Sequence, residues 1–144
     1  MRELSRYLFL AGAAPYLFLG AAHALATPRT PGESKGLSPA DPKLAESMAH
    51  SGVLLTRRTN VWLAWVGFNF SHSLGALLFG ALVLLGGRNS EVFHLEGPLF
   101  LPLALLVSGV YLVLAVKYWF RTPIIGIAVS FLLFLLSSIL FTLG

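Results

Sequence analysis

Residues 61–80 read VWLAWVGFNFSHSLGALLFG, a run without one charged side chain. At about 1.5 Å per residue, a helix of this length crosses a hydrocarbon core of about 30 Å. A helix is also the form that satisfies its own backbone in lipid. Yet Asn69, Ser71, His72 and Ser73 crowd the middle of the run. Helical geometry separates them. Trp62, Trp65, Asn69, His72, Ala76 and Phe79 recur at steps of three and four residues, giving one stripe with a polar centre. Gly67, Ser71 and Gly75 lie on a second stripe, a small-xxx-small ladder that lets another helix approach closely. One helix therefore carries a packing groove and, on another face, an amide and an imidazole near mid-membrane.

The composition places the whole chain in the same class. The 144 residues are 56% hydrophobic and 11% charged, with a mean hydropathy of +0.79. Soluble domains carry about 25% charged residues. There is no cysteine, which excludes disulfides, thiolate metal sites and thiol nucleophiles. The net charge of +4 gathers at the ends of apolar runs, which fits anionic lipid headgroups. No basic stripe with interleaved aromatics is present, so nucleic acid is not an expected partner.

Working outward, four spans are expected at about 7–26, 60–85, 99–120 and 124–143. The first follows Arg2 and Arg6 and ends in Ala24-Leu25-Ala26, the layout of a signal peptide. Its length favours a retained helix, with a kink expected at Pro15. Gly12, Tyr16, Gly20 and Ala24 form a ladder that reads as packing. The loop 27–59 is rich in proline, glycine and charge at its start. A helix is expected to begin there, capped by Ser38 or by Asp41 with Pro42 at its first position. It carries Leu44, Met48 and Leu55 on one face and reads as interfacial, either breaking near Gly52 or running on into the second span. Residues 86–98 read as a short polar connection, and Thr122 with Pro123 as the cap of the fourth span. The fourth span is apolar almost all round, so it is expected to face lipid or a hydrophobic partner. The fold class is all-α: a four-helix transmembrane bundle of up-down topology, a single membrane domain over residues 1–144.

Four spans put both termini on one side. Arg2, Arg6 and Arg88 fall on that side, and Arg29, Lys35, Lys43, Arg57, Arg58, Lys117 and Arg121 on the other. The positive-inside rule then makes loop 27–59 cytoplasmic, although Arg2 and Arg6 alone would hold the N-terminus inside.

Few residues are equipped for chemistry. An ionisable group inside a span is a functional hypothesis by default, which makes Asn69 and His72, backed by Trp65, the candidate ligand-binding residues. The competing reading is interhelical hydrogen bonding, with Tyr16, Tyr111, Ser108 or a carbonyl freed near Pro15 as the partner. Haem held by two imidazoles needs them at one depth. His72 lies about 18 Å into its span and His23 about 5 Å from the same surface, a mismatch of about 13 Å that disfavours it. No carboxylate lies inside a span, and the four histidines lack metal-ligand spacing. Ser71 and Ser73 flank His72 but point elsewhere on a helix, so no nucleophile–base pair forms. No catalytic residue, metal or cofactor is assigned. Arg57 and Arg58 are expected to contact lipid phosphates or an acidic partner.

The segment RTNVWLAWVGFNFSHSLGALLFG, residues 58–80, with Arg57 before it, resembles an uncharacterised group of small bacterial four-helix membrane proteins that share a GFN-x-SH-x-x-G segment after a Trp-rich helix start. The resemblance implies an integral bacterial membrane protein and groups Asn69, Ser71, His72 and Gly75. The layout is also loosely similar to four-helix folds that bind sterols or quinones. Two functions are therefore expected to compete. One is a non-enzymatic scaffold or accessory subunit, with lipids and partner subunits or further copies of itself around it. The other is a binding protein or enzyme for a lipid, quinone or sterol-like molecule. A cavity of about 300 Å³ or more bordering Asn69 and His72 would favour the second.

Overall fold

A computed structural model describes residues 1–144. The chain is 79% helical and all-α, consistent with a four-helix bundle. In order it forms α1 (Arg2–Ala26), α2 (Pro42–His50), β1 (Gly52–Val53), β2 (Thr56–Asn60), α3 (Val61–Arg88), α4 (Ser90–Tyr118) and α5 (Arg121–Leu143). α1, α3, α4 and α5 are each long and apolar enough to cross a membrane. The chain is that of a multi-pass membrane protein. It divides into two compact units, one of residues Met1–Leu19 with Ala76–Gly144, the other of Gly20–Gly75.

The first unit packs parts of all four long helices around aromatic rings. Phe9 lies 5.3 Å from Phe93 and 5.6 Å from Phe134 between ring centroids, and all three are buried. α1 and α5 run antiparallel and are clasped by serines. Ser5 Oγ donates to the Ser137 carbonyl at 2.8 Å, and Ser137 Oγ donates back to the Ser5 carbonyl at 2.7 Å. Ser130 Oγ donates to the Gly12 carbonyl at 2.9 Å. The fourth span is thus not featureless. Ile127, Ser130, Phe134 and Ser137 recur at helical spacing and form its buried face, a stripe hidden in the sequence because serine is only weakly polar. Close approach is set by glycines. A Cβ on Gly80 would sit 2.8 Å from the Leu17 side chain and 3.3 Å from the Ala13 carbonyl oxygen. Arg6 reaches the end of α3, donating to the Gly87 carbonyl at 3.1 Å, where a cation complements the helix dipole.

Several expected boundaries shift. Residues 86–98 are helical except Asn89, whose Oδ1 caps α4 by accepting from Val92 N at 3.1 Å. Their polarity marks a tight turn at Asn89 between two helices, not a longer non-helical connection. α5 begins at Arg121 with Phe120 in the N-cap position and no side-chain cap, so Thr122 does not play that part. α1 continues as one helix through Pro15.

The second unit holds the end of α1, loop 27–41, α2, the hairpin and the start of α3. Asp41 caps α2, accepting from Lys43 N at 2.9 Å, with Pro42 at the first position. α2 stops at His50 and does not run into α3. Gly52 disfavours helix, and the β-branched Val53, Thr56 and Thr59 favour extended chain instead. β1 and β2 pair antiparallel, Val53 opposite Thr56, and Val61 N donates to the Ser51 carbonyl at 2.9 Å to close the base of the hairpin.

Candidate functional site

The polar centre of α3 meets the last turn of α1 inside the second unit. Asn69 is buried, at 8% exposure. Its Nδ2 donates to the Trp65 carbonyl at 2.8 Å, so its Oδ1 is the acceptor in the 2.9 Å contact with His23 Nε2. The amide orientation follows from that network, and it places a proton on His23 Nε2. A neutral His23 is thereby held as one tautomer, with Nδ1 carrying the lone pair. His72 packs edge-on to the His23 ring, centroids 5.0 Å apart at 63°. Ser73 Oγ donates to the Asn69 carbonyl at 3.0 Å, and Thr27 Oγ1 to the His23 carbonyl at 2.8 Å. The cluster is His23, Asn69 and His72.

His23 is the residue that sequence reasoning set aside, and the expected depth mismatch does not exist. The mismatch holds only for two helices that start flush with one surface. In the structure α1 ends at Ala26 while α3 begins at Val61. His23 lies about 5 Å before the end of α1, and His72 about 17 Å after the start of α3. The first turns of α3 therefore extend past the end of α1. The connecting chain covers them: Thr27 and Pro28 are buried, and Trp62 Nε1 donates to the Arg29 carbonyl at 3.4 Å. The polar partner of Asn69 is accordingly His23, not Tyr16, Tyr111, Ser108 or a carbonyl near Pro15. The signal available in the sequence was a lone histidine near the end of a span, with a facing helix that could supply an amide.

The stripe from Trp62 to Phe79 points inward. Trp62, Asn69 and Ala76 are buried, and Trp65 and His72 are partly so. Trp65 packs against Trp62 with the rings tilted, centroids 5.3 Å apart, and offers its carbonyl, not its indole, to Asn69. The Gly67–Ser71 part of the ladder points the other way, while Gly75 is partly buried. Gly67 has open space where a Cβ would be, and Ser71 is exposed with its hydroxyl on the Phe68 carbonyl at 2.8 Å. No helix of this chain seats on Gly67, and the Ser71 hydroxyl turns to a different face from Asn69. Within the chain, Ala76 and Gly80 face the core instead.

The chemistry available is hydrogen bonding. Both serine hydroxyls beside His72 bond their own helix, so neither is poised as a nucleophile. No group of three or more histidine, cysteine, aspartate or glutamate side chains could hold a metal ion. A groove of about 480 Å³ lies along α4, lined by Leu105, Leu106, Gly109, Val110, Val113 and Leu114. It borders neither Asn69 nor His72 and is lined by apolar side chains of one helix, as a lipid-facing surface is. Arg57 and Arg58 sit exposed on β2. In loop 27–41, hydrogen bonds from the Lys35 side chain and the Arg29 N–H hold the Glu33 carboxyl down at about 2. No protein family, curated protein or solved structure matches the chain.

Proposed function

We propose that this chain is a non-enzymatic scaffold or accessory subunit that packs in the bilayer against another membrane-spanning chain. The observation that carries the reading is how the polar groups of the spans are used. Asn69 bonds both His23 and the Trp65 carbonyl, and Ser5, Ser130 and Ser137 bond the backbones of facing helices. Groups that hold helices together in this way are not held in reserve for a substrate. The outward ladder at Gly67 and Ser71 supplies a face on which a further helix can approach closely. The division of basic residues and the resemblance over residues 57–80 support a bacterial cytoplasmic membrane with loop 27–59 inside.

Native mass spectrometry from gentle detergent tests this reading. A second subunit or a defined homo-oligomer is expected with the wild type and lost in Gly67→Leu. A monomer carrying a stoichiometric small molecule, released by His72→Ala, would instead establish the ligand-binding alternative.

A further inference from the structure

We propose that the β1–β2 hairpin is a membrane-surface anchor, in which Leu54 and Leu55 enter the apolar edge of the bilayer while Arg57 and Arg58 bind anionic lipid headgroups.

The tip of the hairpin is the place where the chain offers the most apolar surface without an account. Leu54 and Leu55 are exposed at 109% and 93%. The most exposed leucines of the long helices, Leu25 and Leu95, reach 76%, and lipid explains those. The two tip leucines lie outside every candidate span. Turn chemistry does not ask for them either. Two-residue hairpin turns favour asparagine, aspartate and glycine at φ above zero, and this chain has no residue with positive φ. The tip is nonetheless held, by the Val53–Thr56 pairing and the Val61-to-Ser51 hydrogen bond at its base.

Charge identifies the occupant. The Arg and Lys ion pairs of the chain are Arg6–Glu3 and Lys35–Glu33. Arg57 and Arg58 enter neither of them and stand exposed within three residues of the leucines. Two leucines beside two uncompensated guanidiniums match a surface that is apolar beneath and anionic above. Position agrees. β2 ends at Asn60 and α3 starts at Val61, with Trp62 next. Leu55 is therefore within about 20 Å of the first residue of a membrane-crossing helix. Two side chains are far short of the ~800 Å² per partner of a stable protein interface. They suffice at a membrane because the chain is already tethered there, which makes the contact intramolecular at high effective concentration. Each arginine near an anionic surface shifts the balance about 5-fold, so the pair shifts it about 25-fold.

The test uses the full chain in nanodiscs of phosphatidylcholine with or without phosphatidylglycerol. The absence of native cysteine allows single labels at Leu54→Cys, Leu55→Cys and, as a control, the exposed loop residue Ser34→Cys. With phosphatidylglycerol present, the fluorophore at 54 or 55 is expected to be quenched by spin-labelled lipid and shielded from aqueous iodide, and the one at 34 the reverse. Arg57→Gln with Arg58→Gln should lower the lipid quenching several-fold. Iodide quenching at both 54 and 55 equal to that at 34 overturns the proposal. So does shielding from iodide without lipid quenching, which assigns the tip to a protein. Loss of partner binding by Gly67→Leu leaves this readout unchanged, so the anchor and the scaffold reading fail separately.

Discussion

Replacing Asn69 by leucine isolates the bond on which the candidate site rests. The side chain keeps its branched shape, with two larger methyls in place of the amide, but His23 Nε2 loses its acceptor at 2.9 Å. The Trp65 carbonyl keeps its helical partner, so little is lost on that side. Interhelical hydrogen bonds in membranes average about 0.6 kcal/mol and reach about 1.7. His23 is only partly buried, so its imidazole N–H is stranded in part, and full stranding would cost about 1–3 kcal/mol. We expect Asn69→Leu to destabilise the fold by about 1–2 kcal/mol, between the bare bond and the fully stranded donor. His23→Phe removes the donor while keeping a ring against His72. The double variant loses the bond once, so it should be more stable than the two single losses summed. The coupling should fall between about 0.6 and 1.7 kcal/mol. Reversible unfolding by dodecyl sulfate titration in mixed micelles reads all four proteins. A coupling below about 0.3 kcal/mol, the level of unrelated sites, would refute the pairing.

Gly80→Ala and Gly67→Ala should diverge in the same assay. The first forces a Cβ against Leu17 and the Ala13 carbonyl and should cost about 1–3 kcal/mol. The second has open space and should be neutral or stabilising by up to about 1 kcal/mol. Tyr16 is buried with no hydrogen-bond partner for its hydroxyl, so Tyr16→Phe should unfold no earlier than wild type, and a marked loss would reveal a partner for that oxygen. The depressed Glu33 carboxyl, at about 2, stabilises the loop above the unfolded value of about 4.3, and that contribution is lost as pH falls from there to about 2. Carboxyl NMR of Glu33 should show its midpoint near 2, returning towards the ordinary carboxylate range in Lys35→Ala.

Composition and periodicity by themselves determined the four spans, because a bilayer enforces length, apolarity and helix whatever the tertiary contacts are. The division of α3 into two faces was legible for the same reason: the angle per residue is a property of the helix, so Trp62, Asn69 and Ala76 fall on one side in any fold. Which face turns inward was not legible. Small residues mark a packing groove without naming the partner, and the outward Gly67 contrasts with the buried Gly80 only once α1 is in place. The hairpin escaped because residues 52–60 are short and mixed, and pairing between strands is not a local property. His23 escaped for a simpler reason. Depth was counted from the ends of apolar runs, and helices in a bundle need not begin at the same level. Only the tertiary structure sets how far α3 rises past α1, and that offset brings an imidazole to Asn69.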